Sequence, residues 1–368
     1  MSDNHSDNSS DQVRPVLLAD RRTLRYYSTS LRHIFAGMSE ELCQCALVCP
    51  PDVDAESVAC MPTEIIPYPV FKSRMFWFQN RRAVLDEIGK FKPTVLHCLS
   101  AKQMRLTEYL AGQLGVPYVV SFNSAAISRL GLATSRNCAA MIASSGTIAK
   151  KLTKISRRRA DRIHQINIGT FVEDTCACFS VGGRVMSMVV AQRLENAFEF
   201  EPLLNAVRHL VIDGYEFVLA IIGKGPAERG IHKMIKELGI SHSVTVVPAI
   251  EPMQSVFAGA DIFIQPHISM SFNPYLLDAM SVGMVVASCR AGIEDFLVEG
   301  ETAVFFETDD ELSIYSCLQK LMDKREVARQ IAMGAQSRLR KNHSVSKMVS
   351  SLLEIYRSVG QRHKETQS

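Results

Sequence analysis

The stretch FAGADIFIQPHISMSFNPYLLDAMSVGMVVAS, residues 257–288, carries the pattern that decides the fold. Residues 262–265 form a short apolar run, 274–282 have the composition of a helix, and 285–288 are apolar again. Asn273 is a strong helix N-cap and the proline after it is favoured at the first helical position, so a helix is expected to begin there. A strand, a crossover helix and a second short strand in succession predict a parallel β-sheet.

The same alternation continues on the amino-terminal side of this stretch. Short apolar runs predict strands at 16–19, 47–49, 93–98, 118–122, 141–143, 185–191, 217–222 and 244–247. Helical patterns fall between them, including 103–113, 201–213, 231–238 and 254–258. This alternation predicts two successive Rossmann-like α/β domains, which would face each other across a cleft at the carboxyl ends of their strands.

Domain boundaries follow from shifts in composition along the chain. Residues 1–12 are mostly Ser, Asp and Asn and are expected to form a disordered tail. The first domain is placed at 13–169, a linker at 170–183 and the second domain at 184–344. Residues 345–362 are predicted to form a terminal helix.

Composition excludes several classes of protein. With 47% hydrophobic and 21% charged residues, the chain is neither wholly disordered nor collagen-like nor a coiled coil. No apolar run reaches the ~18 residues of a membrane-spanning helix, and no signal peptide is expected at the start. Ten cysteines without an export signal indicate reduced thiols, and their spacing lacks the pattern of a zinc site. The sequence therefore predicts a cytoplasmic protein without a bound metal.

Arg193 is the first candidate for binding an anion. It follows the strand predicted at 185–191, where a guanidinium could clamp a phosphate with two parallel hydrogen bonds. The alternative is a surface salt bridge with Glu195 or Glu199.

Two further features suit a phosphate. Gly223 and Gly225 flank Lys224 in the turn after a predicted strand, where either a close ligand or a plain turn would favour glycine. The amino end of the helix after Asn273 carries free N–H groups and a positive dipole, which attract phosphate. Most capped helices have no ligand, so this signal is weak when taken alone.

In their order along the chain, these motifs resemble those of family 4 glycosyltransferases, which have a two-domain B fold. The segments AQRL, IGKGP and GADIFIQP are similar to the family's G-R-L, G-x-G-P and A-D motifs. The segment FNPYLLDAMSVGMVVAS resembles F-G-x4-E-A-M-A-x-G-x-P-V-V-A-S. The resemblance covers roughly residues 90–345 and is most specific over 188–303.

The resemblance implies transfer of a sugar from a nucleotide-diphosphate-sugar donor, with retention at the anomeric carbon and without a metal or other cofactor. The first domain would bind the acceptor, a glycan or a lipid-linked molecule, and the terminal helix would cross back to this domain. The second domain would bind the donor. By position in the family motifs, donor binding is assigned to Arg193, Gly223, Lys224, Gly225, Asn273 and Asp278. Catalytic positions are assigned to Arg193 and Asn123.

The sequence also departs from the family pattern. The family's paired glutamates fall on Met270 and Asp278, its pyrophosphate lysine on Phe198 and its active-site histidine on Asn123. The stretch 20–23 replaces the family's glycine turn after the first strand. These departures favour a second hypothesis, a catalytically degenerate relative that acts as a binding or scaffold subunit. A phosphosugar epimerase or phosphorylase on the same fold is a third and weaker reading.

The sequence also suggests a macromolecular partner. Residues 1–180 hold 22 Lys and Arg against 16 Asp and Glu, and seven of these cations lie in 150–162. This run is either an ordinary solvated surface or a peripheral contact with an anionic membrane at its inner face. No aromatic residues are interleaved with the cations, so a nucleic acid is not expected.

Several histidine and aromatic side chains in the first half of the chain have two possible roles. His97 ends a predicted strand and would either touch an acceptor or be a hydrogen-bonded core histidine. Tyr26, Tyr27 and Trp77 would either stack on a sugar ring or pack in the core.

Overall fold

The computed structural model describes residues 12–60, 62–69, 74–127, 137–248, 253–290 and 292–367. The chain divides into two compact units, of which unit 1 comprises residues 1–169 and 345–368 and unit 2 comprises residues 170–344. Each unit is built on one parallel sheet with helices between its strands. The predicted fold class of two Rossmann-like α/β domains is thus confirmed.

Unit 1 contains a seven-stranded parallel sheet in the order β3-β2-β1-β4-β5-β6-β7. Its strands are β1 Pro15–Leu18, β2 Ala46–Cys49, β3 Glu64–Pro67, β4 Val95–Cys98, β5 Tyr118–Phe122, β6 Ala140–Ala143 and β7 Ile163–Gln165. The central pair is β1 and β4, where the direction of the winding changes. The edge strands β3 and β7 were not predicted, because they are short and partly exposed and so lack a continuous apolar run.

The helices of unit 1 are α1 Arg21–Tyr26, α2 Ser28–Glu40, α3 Trp77–Phe91, α4 Met104–Leu114, α5 Gly146–Ile155 and, from the end of the chain, α12 Val345–Gln367. Short 3-10 turns precede α3 at Arg74–Phe76 and follow α5 at Arg157–Arg162. The polar stretch after β1 is helical because the Asp20 carboxylate accepts a hydrogen bond of 2.8 Å from the Thr23 N–H.

The terminal helix α12 is longer than the predicted 345–362 and belongs to unit 1. Its apolar residues, among them Met348, Leu352 and Tyr356, join the core that α2 and the sheet form. A β-carbon at Gly37 of α2 would lie 2.7 Å from Cγ2 of Val349. Glycine at this position therefore allows the two helices to pack closely.

Unit 2 contains a six-stranded parallel sheet in the order β10-β9-β8-β11-β12-β13. Its strands are β8 Met186–Ala191, β9 Phe217–Ile222, β10 Val244–Val247, β11 Ile262–Gln265, β12 Val285–Cys289 and β13 Val304–Phe306. Its helices are α6 Glu201–Ile212, α7 Glu228–Glu237, α8 Met253–Phe257, α9 Pro274–Ser281, α10 Glu311–Asp323 and α11 Arg325–Asn342, with a 3-10 turn at Ala197–Phe200. The strand order 3-2-1-4-5-6 is that of dinucleotide-binding domains, and its switch point lies between β8 and β11.

Residues 170–183, for which a linker was predicted, are part of unit 2 in the structure. Cys176 and Cys178 are buried in its core. The Cys178 N–H donates to the carbonyl of Gly283 at 2.9 Å, and a β-carbon at Gly283 would lie 2.7 Å from Cα of Cys176. The segment therefore packs tightly against the turn that ends α9.

All ten cysteines of the chain are free thiols. Among the helices of the described ranges, none combines the length and the apolar character that a membrane span requires.

Candidate functional site

The carboxyl edge of the unit 2 sheet gathers the loops that carry the predicted donor-binding residues. The loop after β8 holds Arg193, the turn after β9 holds 223–225, and the loop after β11 leads to Asn273. Because parallel strands all end at the same edge, these three segments are neighbours around the switch point between β8 and β11. Ligands of open α/β sheets bind at such a point.

The glycine turn after β9 is packed against the loop after β8. A β-carbon at Gly223 would lie 2.0 Å from the carbonyl oxygen of Gln192, and one at Gly225 would lie 2.0 Å from that of Leu194. The Leu194 N–H also donates to the Lys224 carbonyl at 3.3 Å. Both glycines are thus required by the close approach of two backbone segments, which the sequence could not show. The Lys224 side chain is exposed.

Arg193 takes part in an ion pair in this structure. Its Nε and Nη2 atoms each lie 2.6 Å from Oε1 of Glu195, and the arginine side chain is 37% exposed. Exposed ion pairs contribute about 0–1 kcal/mol, so an incoming phosphate could take over the guanidinium at little cost. Of the two partners considered from the sequence, Glu195 is the one found, since Glu199 contacts His267 instead.

Asn273 caps α9 and connects this helix to β8 through a hydrogen bond. Its side-chain oxygen accepts a hydrogen bond of 3.2 Å from the Tyr275 N–H, and its amide nitrogen donates to the Ala191 carbonyl at 3.1 Å. Asn273 therefore fixes the amino end of α9 beside the carboxyl end of β8. Asp278 lies in the second turn of α9, where every residue of the helix is buried.

A carboxyl group of the protein itself reaches the amino end of α9. Glu294 follows β12, is buried, and lies with Oε2 3.4 Å from Nε2 of Gln265 at the end of β11. Burial raises the pKa of Glu294, although hydrogen bonds, including those from Gln265 and from the Asn273 backbone, oppose the shift. Within the described part of the chain, Oε1 of each of these two side chains is buried without a hydrogen-bond partner.

A polar chain that the sequence analysis missed crosses the same edge. The His267 ring lies 3.3 Å through Nδ1 from Nε2 of Gln192, and 3.2 Å through Nε2 from the Glu199 carboxylate. Burial lowers the pKa of His267, while the carboxylates of Glu199 and Asp309 act in the opposite direction. A neutral ring with its proton on Nε2 satisfies both contacts. The position of His267 two residues after a buried strand was the available signal.

The two residues that replace family side chains at this site are exposed. Phe198, in place of the lysine, is 76% exposed, and Met270, in place of the first glutamate, is 44% exposed. Neither provides a charge or a strong acceptor at its position.

In unit 1, Asn123 lines a largely apolar pocket at the carboxyl edge of the sheet. The pocket is enclosed by α1, α2, the ends of β4 to β7 and α12. Its lining is Thr23, Tyr27, Ser30, Leu31, Ile34, His97, Leu99, Ser121, Asn123, Ile142, Ser144, Ile166, Ile168, Met348 and Leu352.

His97 is a hydrogen-bonded core histidine. Its Nδ1 lies 2.6 Å from the Tyr356 hydroxyl and its Nε2 lies 2.8 Å from Oγ of Ser121. Burial lowers the pKa of His97 to about 3, so the ring is neutral at neutral pH. Of the two readings from the sequence, the core role is the one observed. Trp77, by contrast, is 45% exposed and does not pack in the core.

Comparison with known proteins agrees with the motifs. The family model described as "Glycosyl transferases group 1" matches residues 187–324, which lie in unit 2. The sulfoquinovosyl transferase SQD2 of Arabidopsis thaliana is 24% identical over 290 residues, covering 70% of this chain and 55% of that protein. The D-inositol 3-phosphate glycosyltransferase of Pseudarthrobacter chlorophenolicus is 25% identical over 228 residues, covering 60% of this chain and 51% of that protein. The chain thus spans about half the length of these relatives.

Solved structures resemble both units of the chain. Anabaena Alr3699/HepE in complex with UDP and glucose matches with a TM-score of 0.77 at 13% identity, covering 94% of this chain and all of that one. Staphylococcus aureus TarM matches with a TM-score of 0.73 at 8% identity, covering 94% of this chain and 98% of that one. At these identities the likeness concerns the fold. Together with the family match over unit 2, it makes the chain similar to group 1 glycosyltransferases.

Proposed function

We propose that the chain transfers a sugar from a nucleotide-diphosphate-sugar donor to an acceptor, with retention at the anomeric carbon and without a metal. The observation that carries this proposal is the position of Arg193. It lies at the switch point of the unit 2 sheet, within the segment that matches the family model. Because the structure of HepE contains UDP and glucose, a uridine diphosphate sugar is the first donor to test.

The chemistry proposed for unit 2 is electrostatic. When the bond between the sugar and the diphosphate breaks, negative charge grows on the leaving phosphate, and a cation held nearby lowers the energy of that transition state. Arg193 is the cation in the family position, and Lys224 projects from the turn packed against the same loop. Asn273 and Asp278 are proposed to position the donor through the fixed amino half of α9.

A binding protein without transferase activity is the second candidate, and the side chains at two family positions favour it. Phe198 and Met270 provide neither the cation nor the acceptor that the family uses there. Loss of one preorganised donor to a developing charge costs about 2.7–4 kcal/mol, so loss of two such groups would slow transfer by roughly 10⁴–10⁶ unless other residues compensate.

Differential scanning calorimetry with a panel of nucleoside diphosphates, followed by an assay for nucleotide release from the matching sugar donor, separates the two candidates. A transferase is stabilised by one diphosphate and also releases it from the donor. A binding protein is stabilised without releasing it. Absence of both effects with all bases would contradict a donor site in unit 2.

The acceptor is proposed to bind in the unit 1 pocket, with Asn123 at its polar side. Eight of the fifteen lining residues are Leu, Ile or Met, which favours a lipid-linked acceptor over a free glycan. Replacement of Ile168 by Asp should weaken use of a lipid-linked acceptor while leaving nucleotide binding by unit 2 unchanged. Equal use of acceptor by this variant would contradict the assignment.

A peripheral contact with an anionic membrane through residues 150–162 is also part of the proposal. The seven cations are spread over α5 and the 3-10 turn after it, and Lys150, Lys154, Arg157 and Arg158 are exposed. A vesicle-binding assay on Arg157→Glu/Arg158→Glu should show weaker binding than the unaltered protein to anionic vesicles. A cytoplasmic location stays a prediction.

A further inference from the structure

The 3-10 turn before α3 and the first residues of α3, here together called the start of α3, present consecutive large apolar side chains to solvent. Met75 is 80% exposed, Trp77 is 45% exposed and Phe78 is 76% exposed, with Phe76 between them also exposed. Among the other described residues, exposed large hydrophobic side chains are never adjacent in sequence. Isolated exposed apolar residues are normal on a protein, but a contiguous group indicates a surface that another body covers.

Cations lie directly behind this apolar tip. The Arg81 guanidinium carbon is 4.1 Å from the centre of the Trp77 ring and 3.9 Å from that of Tyr109, so it joins α3 to α4. Arg82 follows Phe78 by one helical turn and is exposed. Arg105 precedes Tyr109 by one turn of α4 and is also exposed.

The acidic groups of α3 are set back from the tip. Asp86 and Glu87 follow Trp77 by nine and ten positions, which is ~14–15 Å along the helix axis. Glu87 is paired with Lys90 at 2.7 Å. On α4, Glu108 accepts a hydrogen bond of 2.9 Å from Asn137. Within α3, the charges nearest to the apolar tip are therefore those of Arg81 and Arg82.

We propose that the start of α3, with Met75, Trp77 and Phe78 at its tip and Arg82 and Arg105 behind it, docks in the headgroup layer of an anionic lipid bilayer. Tryptophan and phenylalanine favour the boundary between water and acyl chains, and arginine holds anionic headgroups while its stem stays against apolar surface. The surface is a helix end with a cationic rim and not a groove, which fits insertion of the apolar side chains into lipid with the cations among anionic headgroups.

This inference rests on the proposed membrane contact and adds to it the residues that enter the lipid. The cations of 150–162 would act on a vesicle from a distance and lose their effect in salt. The apolar tip would act only in contact with lipid, and its contribution would survive salt. The two contributions can therefore be measured separately.

Trp77 is the only tryptophan of the chain, so intrinsic fluorescence reports on this surface alone. The full-length protein is titrated with phosphatidylcholine vesicles and with vesicles that also contain phosphatidylglycerol, at low and high salt. We expect a blue shift of the emission with the anionic vesicles, quenching by brominated lipids and protection from acrylamide.

Cosedimentation with the same vesicles compares three variants. Met75→Ser/Phe78→Ser should lower the partition coefficient about ten-fold or more and weaken the blue shift, since two apolar side chains no longer enter the lipid. The matched control Ile212→Ser/Leu312→Ser removes two exposed apolar side chains of unit 2 and should bind as the unaltered protein does. Arg157→Glu/Arg158→Glu should weaken capture at low salt but leave the blue shift of bound protein unchanged.

Four results would overturn the inference. These are vesicle binding without a change in Trp77 emission, equal binding by the α3 variant and its control, absence of binding to any vesicle, and a blue shift on raising the protein concentration without lipid. Vesicle binding without a change in Trp77 emission would mean that residues 150–162 alone contact the membrane. A blue shift on raising the protein concentration without lipid would mean that a second copy of the chain covers the surface. A failure of sugar transfer with intact vesicle binding would contradict the proposed activity and not this inference.

Discussion

At the scale of single residues, the proposed donor site rests most on Arg193. We predict that Arg193→Ala weakens binding of uridine diphosphate by about 1.5–3 kcal/mol, the usual contribution of a hydrogen bond to a charged group. Binding of uridine should change little, because it has no phosphate. Arg193→Lys should recover part of the loss, since it keeps the charge but not the planar fork. Isothermal titration calorimetry measures all three proteins.

Two further variants serve as controls for Arg193. Arg208→Ala removes an exposed arginine from α6 and should leave the affinity for the diphosphate unchanged. Glu195→Gln removes the carboxylate that pairs with Arg193 and should leave the affinity equal or higher. Unchanged affinity in Arg193→Ala would contradict the placement of the donor site.

Gly223 tests the packing of the two loops at the site. Gly223→Ala would place a β-carbon 2.0 Å from the Gln192 carbonyl oxygen, so backbone must move. We predict a loss of at least about 1–3 kcal/mol in the free energy of unfolding, as for other overpacked interiors. In the same urea titration, Gly182→Ala should be close to neutral, because nothing lies within 4 Å of the added carbon. Equal stabilities of the two variants would show that the loops are not in contact.

The burial of His97 predicts how the stability of the protein depends on pH. Burial lowers its pKa to about 3 in the folded state, against an ordinary value of 6.5, so between these values the unfolded chain binds a proton that the folded chain does not. The free energy of unfolding should therefore fall as the pH drops below about 6.5, by up to ~1.4 kcal/mol per pH unit from this residue. Burial also lowers the pKa of His33, to about 4, which acts in the same direction.

Denaturation at pH 7 and pH 5 with His97→Gln isolates this contribution. The variant should be less stable at pH 7, because it loses buried hydrogen bonds, but its stability should depend less on pH. The same pH dependence in both proteins would show that His97 is not the group that resists protonation.

At the scale of elements, the contact between α2 and α12 depends on the missing side chain of Gly37. Gly37→Ala should lower the free energy of unfolding by about 1–3 kcal/mol, because its methyl group would lie 2.7 Å from Cγ2 of Val349. Val349→Ala leaves space for the methyl group that Gly37→Ala adds. The double variant Gly37→Ala/Val349→Ala should therefore lose less stability than the sum of the losses of the two single variants. Urea unfolding of the three variants measures this coupling. Additive losses would contradict the close packing of the two helices.

The interior strands of both sheets and the edge strand β10 could be predicted from the sequence, whereas the edge strands β3, β7 and β13 could not. The runs 118–122, 217–222 and 262–265 coincide with interior strands in the structure, because strands covered by helices are almost continuously apolar. The edge strands β3, β7 and β13 have only three or four residues each. Helix α1 was missed because its cap, Asp20, lies in a polar stretch whose helical character depends on one side-chain hydrogen bond.

At the scale of the whole molecule, the order of the motifs indicated a similarity to group 1 glycosyltransferases, but three-dimensional contacts were needed to describe the candidate site. The sequence brings Arg193, the glycine turn and Asn273 to one edge of a sheet. It does not show that the glycines meet backbone, or that Glu294 lies at the amino end of α9. Both depend on contacts between loops far apart in the chain, which no local pattern encodes.

The central claim is sugar transfer from a nucleotide donor, and proton NMR tests it most directly. The protein is incubated with a uridine diphosphate α-sugar and a lipid-linked acceptor panel in the presence of EDTA, and the anomeric signals are followed over time. The account predicts that the donor signal decays as a product with the same α-configuration appears, faster for the unaltered protein than for Arg193→Ala. A donor that stays intact with every sugar and acceptor, or a product of β-configuration, would contradict the account.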